Sequence, residues 1–175
     1  MGMPESIYNE FLQFQAMKEK HDILAELKNT PKEEIADKIA LISVFTEGMQ
    51  LFSSFIMLLN FPRHGLMKGM GQIIAWSVRD ETLHTNSIIK LFRTFIQENP
   101  EVWDEELKSR LYKACATIVH FEDAFIDLAF ETGSIEGLTA REVKRYIRYI
   151  ADRRLNQLGL KDIYIMYYTV RTNPF

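Results

Sequence analysis

The chain has 175 residues, 47% of them hydrophobic and 26% charged, enough to bury a substantial helical core as one soluble domain over residues 1–175. Its formal net charge of -3 offers no general attraction to nucleic acid or anionic lipid, so neither is expected as a partner. The single cysteine, Cys115, excludes a disulfide framework and a thiolate metal cluster and points to a reducing, cytoplasmic setting; the opening MGMPESIYNE lacks the basic and apolar regions of a signal peptide.

In chain order the sequence reads as helix throughout, with no run of period-two alternation long enough for a sheet. Pro4 can open a first helix, in which Ile7, Phe11, Phe14 and Met17 recur at three- and four-residue steps until Asn29 and Thr30 interrupt it. Thr30, Pro31 and Glu33 then supply a cap, a proline at the first helical position and an acidic first turn for a second helix. That helix continues through the apolar run from Ala40 to Phe61 and stops near Asn60, Pro62 and Gly65. A third spans about Met67 to Glu98 and ends at Asn99-Pro100. A fourth runs from about Glu101 to Glu131, with Gly133 as its expected left-handed terminator. Thr139 and Glu142 have capping-box spacing and open a fifth helix that Gly159 closes. The aromatic and β-branched tail KDIYIMYYTVRTNPF is read as a strap lying on the bundle. Helices of roughly 30 residues, near 45 Å long, joined by short connections pack as antiparallel bundles, so the expected class is all-α, about five helices plus the strap.

The run from Ala40 to Phe61 is long enough to raise the question of a membrane span. Glu47 lies in its middle, among Thr46, Gln50, Ser53 and Ser54, and a carboxylate at a bilayer centre costs roughly 2.5–3.5 kcal/mol. A helix apolar almost all round also belongs at the centre of a large soluble bundle, which is the reading preferred here.

The residues that point to chemistry are Glu47, Glu81 and His84. Glu81 and His84, in RDETLH, are three apart on a predicted helix and project from one face. Carboxylate with imidazole suits iron or manganese. Glu47 and Glu81 each lie about 17 residues from the centre of the intervening turn, roughly 25 Å along each axis, so an antiparallel pair brings them to matching heights, where their carboxylates are expected to meet in the core. Glu-x-x-His alone is a weak signal, since such pairs decorate many solvated faces. Glu47 carries more, because a carboxylate among Val44, Phe45, Leu51, Phe52 and Phe55 is costly unless paired or metal-bound. The bland alternative is a core glutamate satisfied by Arg79. His21, His64 and His120 lack a second ligand at helical spacing, and the 12 phenylalanines and 8 methionines read as core. Lys144, Arg145, Arg148, Arg153 and Arg154, interleaved with Glu142 and Asp152, read as a solvated helix face.

The run GMGQIIAWSVRDETLHTNSIIKLFRTFIQENPEVW resembles the corresponding segment of class I ribonucleotide reductase small subunits, as do VFTEGMQLFSSF before it and FEDAFIDLAFETG after it. The resemblance implies a ferritin-like bundle, here its C-terminal half, with a dinuclear iron or manganese/iron centre. In that family the first half supplies an aspartate and a Glu-x-x-His, and the second a glutamate and another Glu-x-x-His. Glu47, Glu81 and His84 match the second half as metal ligands. Asp80 matches the aspartate of the radical-transfer path, and Leu51 and Phe55 match apolar positions beside the metal. The implied activity is that of the ribonucleoside-diphosphate reductase small subunit, whose dimetal centre and oxygen generate the radical passed to the large subunit for deoxyribonucleotide synthesis.

The chain resembles only part of that pattern. The first Glu-x-x-His, the radical tyrosine and the tail that docks on the large subunit have no counterpart here, so one chain holds half of the ligand set and is expected to be inactive by itself. The expected partners are the large subunit, a separate N-terminal half, and a second copy in a homodimer. Two readings compete with the reductase: a metal-free helical interaction module of a divided small subunit, and a homodimeric di-iron ferritin-like oxidase or metal store. The WSVRDETLH context favours the reductase over the oxidase or store, while the missing ligands keep the interaction module in contention.

Overall fold

The computed structural model describes residues 13–15, 17–18 and 35–165, the side chains of residues 42 and 43 excepted. Four long helices account for most of it: α1 (Ile35–Arg63), α2 (Lys68–Glu98), α3 (Glu105–Glu131) and α4 (Ala140–Leu158). Among the described residues there is no strand, only an isolated antiparallel bridge between Ile135 and Leu138. The all-α expectation holds. The first predicted helix and the distal part of the strap lie almost wholly outside the described residues.

Local chemistry explains most boundaries. Asp104 accepts a hydrogen bond from the Leu107 amide at 2.7 Å and caps α3, while Pro100–Val102 forms a single 3₁₀ turn before it, so α3 begins four residues later than the sequence suggests. Its other end also departs from expectation. The helix closes at Thr132, whose hydroxyl donates to the Ala129 carbonyl at 2.7 Å, and Gly133 is not left-handed. The Thr139–Glu142 capping box forms as predicted, and Gly159 terminates α4 at φ +88°.

The largest departure is inside α1. Residues Ile39–Gln50 form a π-helix, flanked by α-helical Ile35–Lys38 and Phe52–Arg63. Bonding from i to i+5 widens the turn beyond the 3.6 residues of an α-helix. Residues four to five apart then share a face, and Ala40, Val44, Phe45 and Met49 are all fully buried. This segment packs against α2, α3 and α4 together, which makes it the centre of the core. By length and composition α1 could cross a membrane, yet 56% of its most apolar window is buried inside the protein.

At the α1–α2 corner the chain turns through Gly65 (φ +79°) and Met67 (φ +48°). Pro62 falls in the last turn of α1 instead of beyond it, and a Cβ on Gly71 would meet Pro62 Cγ at 2.2 Å. Glycine is what lets the two helices approach here. Helices α3 and α4 are joined by ion pairs: Arg148 to both carboxylate oxygens of Asp123 at 2.8 and 2.7 Å, and Lys144 to Asp127. The basic residues of α4 are therefore not a uniformly solvated face. Arg154 in particular is 2% exposed, because it occupies the same stripe as Val143, Ile147, Ile150 and Leu158.

Candidate metal centre

Glu47 projects from the π segment of α1, and Glu81 and His84 from one face of α2. Ligand atoms from all three lie within 4.8 Å of one another, with His84 Nδ1 at 3.8 Å from Glu81 Oε2. The antiparallel hairpin brings the three together at the height their spacing suggests. Arg79 is exposed and, among the described residues, makes no ion pair with Glu47. The bland account of that glutamate, a core carboxylate satisfied by this arginine, is not what the structure contains.

The site is not sealed in the core, as the sequence suggests it would be. Glu47 is half-buried, and the side chains of Glu81 and His84 are 24% and 61% exposed. The wide π turn supplies the reason. Val44, Phe45 and Met49 take the inward face, so Glu47, midway between Phe45 and Met49, falls toward the rim. Above it, no described residue covers the outer face of α2: Ile73, Trp76, Leu83 and Leu91 are each more than half exposed. Asp80 lies on that face and is exposed too. Of the two positions expected to line the metal, Phe55 is buried and Leu51 is 40% exposed. An apolar cleft of about 210 Å³ opens between α1, α2 and α4, lined by Phe52, Phe55, Leu59, Val78 and Tyr146 among others.

The donor set fits a hard or borderline divalent cation. Octahedral ligands about 2.1 Å from a cation lie about 3.0 Å apart when adjacent and about 4.2 Å when opposite. The three donors, all within 4.8 Å of one another, lie near that spacing. Two carboxylates and an imidazole favour iron or manganese over metals that select thiolate. Three donors also leave coordination positions open, so the group can hold one cation but does not by itself enclose two.

Behind the ligands, Gly48 and Thr85 each follow a candidate ligand in sequence. A Cβ on Gly48 would meet Arg154 Nε and Thr85 Cγ2, both at 2.9 Å. Sequence reasoning missed this contact. Its signal was the i, i+3, i+4 burial pattern of α4, which places Arg154 on the inward stripe. The other histidines are elsewhere: His64 Nδ1 lies 3.8 Å from Glu136, and the exposed His120 has its ring 6.0 Å from that of Phe121.

With fold and donor geometry established, comparison with known proteins places the chain. Residues 3–174 match the family model described as ribonucleotide reductase, small chain, and the chain belongs to that family. It is 48% identical over 192 aligned positions to a protein named ribonucleoside-diphosphate reductase small subunit 048L of Invertebrate iridescent virus 3, the alignment covering 99% of this chain and 50% of that one. The ribonucleoside-diphosphate reductase subunit beta of Chlamydia pneumoniae is 38% identical over 121 positions, 69% of this chain and 35% of its own length. The ribonucleotide reductase R2 subunit from Clostridium botulinum superposes with a TM-score of 0.83 at 23% identity, over 94% of this chain and 53% of that one. The fold is thus the ferritin-like bundle of these subunits. The chain spans about half the length of curated relatives that it matches over nearly its whole length.

Proposed function

We propose that this chain supplies the second half of a dimetal-carboxylate site in a ribonucleoside-diphosphate reductase small subunit. The observation that carries the proposal is the convergence of Glu47, Glu81 and His84 from two helices within 4.8 Å, in a chain of that family. Iron or manganese bound there would supply the oxidising chemistry that begins radical formation for deoxyribonucleotide synthesis. The chain's own residues bind and orient. Glu47 and Glu81 neutralise cation charge, His84 adds a nitrogen donor, and Phe55 with its neighbours keeps water from the inner side. Asp80, exposed one residue before Glu81, stands where it can accept a hydrogen bond from a partner residue and is assigned to the radical-transfer path. Leu51 is assigned to the apolar surround that forms once the outer face is covered.

Three donors account for half of a dinuclear ligand set. The remainder comes from residues that correspond to the first half of its longer relatives and cover the outer face of α2, and the assembled subunit works with the large subunit. Two measurements test this. Metal analysis of the purified chain, alone and with a polypeptide corresponding to the first half of its longer relatives, should find iron or manganese, and Glu81→Ala should abolish it. Ribonucleotide reduction with the large subunit should require both halves. Full turnover by this chain with the large subunit and iron alone would refute the division of ligands.

A second reading is favoured by the uncovered face carrying Ile73, Trp76, Leu83 and Leu91. Two copies facing each other there would bring four carboxylates and two imidazoles together, the ligand count of di-iron carboxylate bundles. A homodimer with two metals per pair and no requirement for a first half would support it over the first.

A further inference from the structure

Among the described residues, Arg154 is a buried cation without an anionic partner. It is 2% exposed, and among the described residues no carboxylate pairs with it. Its Nε donates to the Gly48 carbonyl at 2.8 Å, its Nη1 to Gln157 Oε1 at 2.8 Å, and its guanidinium lies 5.3 Å from the centre of the Phe52 ring. Burial, reinforced by neighbouring Arg153, lowers its pKa to about 10. Desolvating a guanidinium is expensive, and here the compensation comes from a backbone carbonyl, a side-chain amide oxygen and a ring. That carbonyl belongs to the residue after Glu47, in the last turn of the π segment, just before bonding reverts to the α pattern at Phe52. Such transitions displace backbone carbonyls from regular partners, and a fixed donor there selects one arrangement. Gly48 is wedged between Arg154 and Thr85, the residue after His84. Thr85 is fully buried, and its hydroxyl has no hydrogen-bond partner among the described residues. α1 is thus held to α4 through the residue after Glu47, and Thr85 of α2 closes on the same glycine.

We propose that Arg154 is a positioning residue: by holding the Gly48 carbonyl it fixes the π turn that presents Glu47 to Glu81 and His84. The part concerning the metal rests on the proposed function above; the part concerning the π turn does not. Arg154→Met removes the donors while keeping an apolar stem, and Arg154→Lys keeps the charge but loses the planar geometry of Nε.

Hydrogen exchange on the metal-free 175-residue chain tests the brace. In Arg154→Met, amides of residues 44–53 should exchange about tenfold faster or more, with α3 unchanged. Unchanged exchange in 44–53, or a uniform rise across all helices, would overturn the proposal. If the Met variant does not fold, the same comparison with Arg154→Lys decides. Titration with manganese(II) alone tests the consequence: affinity should fall about tenfold or more in either variant, in the range seen when supporting residues of metal ligands are lost. Binding equal to the wild type would overturn the positioning role while leaving the metal site standing. A wild-type chain that binds no manganese would count against the metal site, and the exchange result would still decide the brace.

Discussion

Glu47 and Glu81 offer oxygens within 4.8 Å of each other, and no arginine or lysine among the described residues pairs with either. Two unit charges at that separation repel by about 1–3.5 kcal/mol between the limits of water and a protein surface, and a shared cation turns the repulsion into attraction. Replacing Glu47 with glutamine should therefore weaken manganese binding more than roughly 100-fold, beyond the usual cost of losing an outer supporting residue. Calorimetric titration reads this directly, and a smaller loss would show that Glu47 is not a ligand. Glu142 gives a prediction unrelated to the metal. Hydrogen bonds from the Thr139 hydroxyl and then its backbone amide hold the Glu142 carboxyl below its ordinary value of 4.5. A depressed folded pKa contributes stability above the unfolded value and loses it as pH falls through the folded one. Thr139→Ala should lower stability by about 1 kcal/mol near neutral pH, and the gap from wild type should narrow as pH drops below about 4.5. Thermal melts across pH 3–7 would check both the size and the sign.

At the scale of elements, the α1–α2 hairpin sets the heights of the ligands, and its corner depends on one close approach. Gly71→Ala would place a methyl 2.2 Å from Pro62 Cγ, and both partners are held by helical backbone. Overpacking of this kind costs about 1–3 kcal/mol. The expected outcome is a lowered melting temperature with metal affinity also reduced, because the shift acts on both ligand-bearing helices. Gly69→Ala, with nothing within 4 Å of the added Cβ, serves as the control and should lower neither. The strap contributes at the same scale. Asp152, 1% exposed on α4, accepts hydrogen bonds from the Ile163 and Tyr164 amides at 2.8–3.0 Å and so ties the start of the tail to the bundle.

Among the described residues, the bundle has one well-filled side and one open side. α4 turns Val143, Ile147, Ile150 and Leu155 into the core, whereas α2 leaves Ile73, Trp76, Leu83 and Leu91 in solvent. Uncovered apolar area of that kind drives association. The chain by itself should sediment as a concentration-dependent dimer or larger species. Leu83→Glu should shift it toward monomer without altering its helical circular dichroism. A wild-type chain that stays monomeric at high concentration would argue against a covering partner on α2.

Several features were legible because their causes are local. A capping box acts over four residues, a proline after Asn99 breaks the helix at that point, and Glu81 and His84 share a face through helical periodicity alone. The four described long helices and the grouping of Glu47 with Glu81 and His84 followed from such rules. Tertiary packing decided the rest. No residue in Ile39–Gln50 specifies i+5 bonding; that segment adopts it while touching three other helices, and the wider turn moves Glu47 from the expected core to the rim. Arg154 looks like its solvated neighbours until α1 supplies the Gly48 carbonyl and the Phe52 ring that make its burial tolerable. Hydrogen-bonding rules within a helix are short-ranged and can be read along the chain, whereas the burial of a charge depends on acceptors brought from 106 residues away.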